Sequence, residues 1–164
     1  MAKMILEIDE SLEQELIRLG ERSAEIAGKA LYAGMEILAD EVRKNLEALP
    51  EDEFRYLDTT RKEQFHGVPK GQKEDLLAAF GVSKVSKNRQ GVYTVKAGFS
   101  GYSKLKTKKY PKGVPLEMIA RSIESGSSVR EKTPFIRPAM EHNEDRIVNA
   151  MESVIAEEIA KVLE

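Results

Sequence analysis

The sequence contains no cysteine, no tryptophan and only two histidines, and aromatic residues make up 6% of its 164 positions. Without thiols there is no disulfide framework, thiolate zinc site, iron–sulfur cluster or cysteine nucleophile. His66 and His142 stand far apart, in no HExxH or paired-ligand spacing, so each reads as an ordinary loop or helix-surface residue. Long apolar runs are missing too. The longest, residues 76–82 with Gly81 counted, has seven members, against about 18 for a bilayer span. Met4, Ile5 and Leu6 are broken at once by Glu7 and Asp9, too short for the apolar part of a signal peptide, so the expectation is a chain that stays in the cytoplasm where it is made and touches no membrane. There is also no basic excess. With 26 Lys plus Arg against 28 Asp plus Glu, net charge −2, a general nucleic-acid coat or polybasic membrane binder is disfavoured.

What is present reads as one domain, since a chain of this length buries roughly 70% of its unfolded surface around a single core. Residues 4–9 predict a short strand. Ser11 with Gln14 makes a capping box for a helix of about two turns that Gly20 is expected to stop. From Ser23, the residues Ile26, Ala30, Ala33, Ile37, Leu38, Val42 and Leu46 recur at spacings of three and four, predicting a long helix to Leu49 and Pro50. Gly28 and Gly34 inside it suggest close approach of a neighbouring backbone. Residues 50–73 read as a long acidic and polar surface loop, the kind that orders on a partner. A turn or two of helix is predicted from Lys73 to Gly81. Strands are predicted at 82–86 and 91–99 around a turn at 87–90, with Tyr93, Val95, Ala97 and Phe99 as the core face. Residues 101–114 lack periodicity and read as an exposed basic loop. Pro115 at N1 opens a helix that Gly126 closes, Pro134 and Pro138 force an extended lead-in at 135–137, and Pro138 starts a last helix with the stripe Ile147, Met151, Val154, Ile155, Ile159 and Val162. The expected fold class is α+β: a small antiparallel sheet, made of the N-terminal strand and the basic hairpin, against two long amphipathic helices.

The near-neutral total hides segregation. Residues 76–116 carry nine bases (Lys84, Lys87, Arg89, Lys96, Lys104, Lys106, Lys108, Lys109 and Lys112) and no acid, while residues 1–75 carry 18 acids against 11 bases and residues 141–164 carry seven against two. Such a segment solvates a loop, meets the acidic face of an identical neighbour, or, with Tyr102 and Tyr110 interleaved, tracks a phosphate backbone and stacks on bases.

Catalytic signatures are wanting. No GxSxG elbow occurs, and the serines at 100, 103, 125, 127 and 128 have no local activating partner. Residues 67–73 imitate a phosphate loop, but the glycine spacing is one short and Gln72 stands where lysine is required. Gly98 to Gly101 spells GxxG but leaves a strand instead of joining two helices. Glu51, Asp52 and Glu53 form a solvated charge run by default. The expectation is a non-enzymatic chain with no cofactor and no metal. A small metal-dependent hydrolase or nuclease using Glu51, Asp52 and Glu53 stays open as an alternative.

Three ordered blocks carry a resemblance: Lys108-Lys109-Tyr110-Pro111-Lys112-Gly113, then Ile119-Ala120-Arg121-Ser122-Ile123-Glu124-Ser125-Gly126, then Thr133-Pro134-Phe135-Ile136-Arg137-Pro138-Ala139. Their succession resembles the neck, tail-completion and tail-component morphogenesis proteins of long-tailed double-stranded DNA phages. The specific part covers residues 108–139, and the layout is similar over most of the chain; residues 50–73 depart from the family pattern, being longer and more acidic. The resemblance implies a structural virion protein, made in the host cytoplasm, working as a ring of copies at the head–tail junction or head-proximal tail end and touching head-closure, tail-terminator or tail-tube proteins. Candidate partner or subunit contacts are Lys104, Lys106, Lys108, Lys109, Tyr110, Lys112, Arg121, Glu124, Arg130 and Arg137. Gly126, Pro134, Phe135 and Pro138 are expected to maintain the fold, and nucleic acid is a secondary candidate partner.

Overall fold

One helix, α1 (Glu10–Glu47), runs for 38 residues where two were expected. At 1.5 Å per residue it is about 57 Å long. Gly20 does not stop it: a glycine weakens a helix but ends one only in the left-handed region, and this position is helical. Beyond it Arg22 pairs with Glu25 at 3.1 Å and Lys29 with Glu25 at 2.9 Å, three- and four-residue ion pairs that support the turns that follow. The computed structural model describes residues 10–52 and 64–164. The expected strand at 4–9 and the centre of the 50–73 segment lie outside them.

After α1 come α2 (Lys70–Ala79), β1 (Phe80–Val82), β2 (Ser86–Lys87), β3 (Tyr93–Thr94), β4 (Ala97–Phe99), α3 (Leu116–Ser125), α4 (Ile136–Glu141) and α5 (Glu144–Leu163). The fold is α+β. Its core gathers where α1 ends: Val42, Leu46 and Leu49 meet Val68, Leu76, Val114, Leu116, Ile119, Ile123 and Phe135. Residues 64–73 are therefore not the surface loop expected. Phe65 and Val68 are 1% and 0% exposed, Val68 bonds back to Pro50 and Asp52, and α2 starts three residues before Lys73. Gly67 permits the crossing, with φ at +88° and the position of a Cβ only 1.9 Å from the Pro50 carbonyl oxygen.

The strands form one hairpin with a defect in it. β1 pairs antiparallel with β4, Val82 opposite Ala97, and β2 with β3, Ser86 opposite Thr94. Three residues on the first arm thus face two on the second, a bulge. Ser83 spans it: its N–H donates to the Lys96 carbonyl, and its hydroxyl accepts the Lys96 N–H. The broken register spoils the expected core face. Phe99 joins the core beside Phe80 and Phe135, whereas Tyr93 and Val95 are only half-buried and Ala97 is exposed. The hairpin lies back along α1, Arg43 stacking on Phe80 and the Tyr32 hydroxyl accepting the Val85 N–H.

The C-terminal elements also shift. Pro115 is the N-cap of α3, one place earlier than predicted. Ile136 and Arg137 are helical, not extended, and Pro138 sits in the first turn of α4, where its missing N–H costs nothing; the last helix begins at Glu144. α5 returns along α1 with its predicted stripe inward, Val162 buried and Ile147, Met151, Val154 and Ile159 half-buried, though Ile155 remains exposed. At Gly34 the close neighbour is a side chain, not a backbone: a Cβ would stand 2.8 Å from Met151 Cγ and 3.1 Å from Ile147 Cγ2.

An ionic knot ties the far half of this helix pair. Glu158, 4% exposed, accepts hydrogen bonds from Lys29 and Lys161, both at 2.7 Å, with Arg22 at 3.8 Å. Bonds from Lys161 and Lys29 hold the Glu158 carboxyl below its ordinary range, and bonds from Arg22 and Lys29 hold Glu25 down to about 2. Bonds to Glu158 and Glu25 raise Lys29. Depressed carboxyls contribute stability above their unfolded value of 4.5 and lose it as pH falls; a raised lysine contributes below 10.5 and loses it as pH rises. The melting-temperature gap between wild type and Glu158→Gln is therefore expected to stay level over about pH 5 to 9 and to shrink as pH falls below the carboxylate range; thermal melts monitored by circular dichroism measure it.

Candidate interaction surface

Residues 101–114 form an irregular hairpin instead of a featureless loop. The Ser103 N–H donates to the Val114 carbonyl at 2.9 Å, the Val114 N–H to Leu105 at 3.0 Å, and Thr107 and Tyr110 exchange two bonds at 3.1 Å. Ser103, Leu105 and Thr107 turn inward while Tyr102, Lys104 and Lys106 turn out, the alternation of an extended strand. Leu105 and Tyr110 rest on the core. Tyr110 is thus part of the support for this surface, with Lys109 over its ring at 5.5 Å. Lys104, Lys106, Lys108, Lys109 and Lys112 all remain exposed.

Their charge is mostly unspent. Among the described residues, Lys104 alone of the nine bases between 76 and 116 forms an ion pair, with Asp75 at 3.6 Å, and Asp75 also accepts the Lys104 backbone N–H at 2.9 Å. Elsewhere exposed acids gather on α1 at Glu36, Asp40 and Glu47 and on α5 at Glu144, Asp145, Glu152 and Glu157.

The motif residues of 119–139 divide by what they touch. Glu124, expected to be a partner contact as readily as a fold residue, is committed internally. One carboxylate oxygen accepts the Phe135 and Ile136 N–H groups at 2.8 and 2.9 Å, and the other accepts Arg137 at 2.9 Å. It caps α4 from another helix, which explains why residues after Pro134 turn helical at once. Arg130 is likewise internal: 3% exposed, it donates to Gln72 Oε1 at 2.8 Å and lies over Phe65 at 4.6 Å. Arg130 is buried, whereas Glu124 is half-exposed at the edge of an open groove. Arg121 and Arg137 are exposed, and among the described residues neither is in an ion pair. Phe135 is fully buried. Gly126 ends α3 at φ +77° with Lys132 backbone packed against it, while Pro134 is exposed and Pro138 half-buried.

Several residues that matter gave no sequence signal. Lys73, 9% exposed, donates to the Glu47 and Leu49 carbonyls at 2.9 and 2.8 Å and pairs with Glu51 at 3.2 Å, closing the C-terminus of α1. A lysine in a short helix is ordinarily a surface residue; only the chain reversal at Gly67 brings it under α1. The same contacts bear on the acidic run: Glu51 is paired with Lys73, the Asp52 carboxylate accepts the His66 N–H at 3.1 Å, and Glu53 lies outside the described residues. His66 meets Glu131 at 2.7 Å on the surface. Among the described residues no cluster of metal-ligating side chains occurs and no helix is long and apolar enough to cross a membrane.

Beside the Glu124 cap an open apolar groove of about 610 Å3 lies between α1, β4, α3 and α4, lined by Met35, Leu38, Phe80, Phe99, Ala120 and Met140 with Glu117 and Arg121 at its rim. The chain matches no protein-family model, no curated protein and no solved structure.

Truncating a carboxylate that holds three N–H groups removes charge-assisted bonds and a helix cap together. Glu124→Ala is expected to cost about 2–4 kcal/mol in chemical denaturation, and Glu124→Gln about half as much, since an amide oxygen still accepts.

Proposed function

We propose that the protein is a non-enzymatic virion assembly component of a long-tailed double-stranded DNA phage, placed at the head–tail junction or the head-proximal end of the tail and acting through protein–protein contacts. The observation that carries this reading is the basic 101–114 hairpin: a folded, core-anchored platform with lysines outward, of which only Lys104 pairs with an acid among the described residues. Charge held out on a fixed scaffold and left unpaired suits a complementary surface that arrives later. Exposed carboxylates on α1 and α5 offer one such surface on a second copy, which fits the ring of copies that the resemblance implies. Neighbouring head-closure, tail-terminator or tail-tube proteins offer the other. The three blocks that resemble phage neck and tail-completion proteins support the proposed location, and their members Glu124, Gly126 and Phe135 serve the fold that carries the platform.

A nucleic-acid reading keeps one specific observation in its favour, the Tyr102 ring, 59% exposed among the same lysines and available for stacking. It requires an affinity that falls steeply with salt; a flat titration against duplex and single strands at low salt removes it.

Deleting the reading frame from the source phage is expected to give filled heads and separate tails by negative-stain electron microscopy, with rescue in trans. Normal numbers of intact virions would overturn the assembly reading. The double variant Lys106→Glu with Lys109→Glu is expected to fold normally yet fail to enter particles; normal incorporation would remove the electrostatic part.

A further inference from the structure

α1 carries two apolar surfaces and holds them apart. One is the groove at its C-terminal half, floored by Leu38, Phe80 and Phe99. The other lies in its N-terminal half, where Leu16 and Ile17 are 53% and 54% exposed. Gly20 and Ala24 continue the same face, both exposed, and a Cβ at Gly20 would meet nothing within 4 Å. Spacings of three, four and eight put these positions on one side of a helix, a side that differs from the one Ile26, Ala30 and Ile37 turn toward α5 and the body. The result is a ridge: two branched side chains and then residues small enough to let a second surface approach the backbone.

The two surfaces suit each other. A groove lined by aliphatic and aromatic side chains takes an amphipathic helix by its apolar anchors. At the rim, the Arg121 guanidinium is exposed and in no ion pair among the described residues, while Glu124 beside it is already spent on the α4 N–H groups. Glu21, one turn beyond Ile17 and exposed, brings the carboxylate that Arg121 lacks. Yet one molecule cannot join them. Met35 in the groove wall is 18 residues from Ile17 on the same continuous helix, about 27 Å along a rigid axis.

We propose that the Leu16 and Ile17 face of one copy seats in the groove of the next, with Glu21 meeting Arg121, a contact separate from the basic hairpin. The proposal rests on the assembly reading and specifies how copies join. Because ridge and groove are different patches, the contact is head-to-tail, and repetition closes into a ring when the rotation between copies divides a full turn.

The absence of cysteine from the chain makes the test clean. Full-length Leu16→Cys and Met140→Cys variants, each checked by thermal melt, are mixed in equal amounts at high concentration and treated with a short bismaleimide. The expected result is a cross-linked pair at least tenfold more abundant in the mixture than in either variant alone, and a ladder ending at one ring size when both substitutions share a chain. No product in the mixture, or equal product from one variant alone, overturns the contact; seating of a different protein instead would leave the mixture unlinked. The deletion phenotype reads out the assembly role independently, so a junction defect without cross-linking rejects this contact only, and intact virions from the deletion reject the parent reading.

Discussion

The long helix α1 is the member against which α5, α4, α2, β1 and β3 pack. A helix of 38 residues cannot be buried along its length in a chain of this size, so its two halves live under different constraints. The C-terminal half is surrounded: Val42 and Leu46 lie in the core, and the terminus is closed by the Lys73 ammonium on the Glu47 and Leu49 carbonyls. The N-terminal half is covered on one side by α5 and approached on another by the hairpin through Tyr32 and Val85. Ile26, Ala30 and Val162 are buried in that half, and Glu158 with its basic partners adds an ionic tie to their packing.

At the end of α3 the same economy recurs in a polar form. A helix of six residues such as α4 has too little burial of its own to begin unaided. Glu124 supplies what Pro134 and Phe135 do not, a charge facing the first N–H groups. Residues that a linear reading would offer to a partner are thereby consumed in shaping the surface around them. Arg130 is consumed likewise, threading between Gln72 and Phe65. What stays outward is simpler: lysines on a firmly anchored hairpin, and two arginines.

The helices were legible from periodicity because apolar spacing survives in any context, as the stripe from Ile26 to Leu46 does. Boundaries were less so. Gly20 looks like a stop, but a glycine in right-handed conformation ends nothing, and α1 runs on through it. Pro138 looks like the start of the last helix, but Glu124, far off in local geometry, starts a separate one before it. The bulge at Ser83 is invisible because one extra residue leaves composition unchanged while it reverses the facing of the strand beyond. Candidate contacts divided in the same way: exposed Lys104, Lys106, Lys108, Lys109, Lys112, Arg121 and Arg137 accord with residue type, whereas Arg130 is buried against Gln72 and Phe65 and Glu124 is spent on the α4 N–H groups, pairings that only the folded chain creates.

The helix pair formed by α1 and α5 also has a mechanical meaning. It is a cantilever, clamped where Lys73 and the core grip α1 and loaded at the tip near Leu16. A sideways push at the tip becomes a bending moment that grows toward the clamp, so stress concentrates where α1 enters the core around Val42 and Leu46. Doubling the beam with α5 stiffens it against that moment only while the two helices do not slip past one another, and the interlocked apolar stripe and the Glu158 knot together resist that slip.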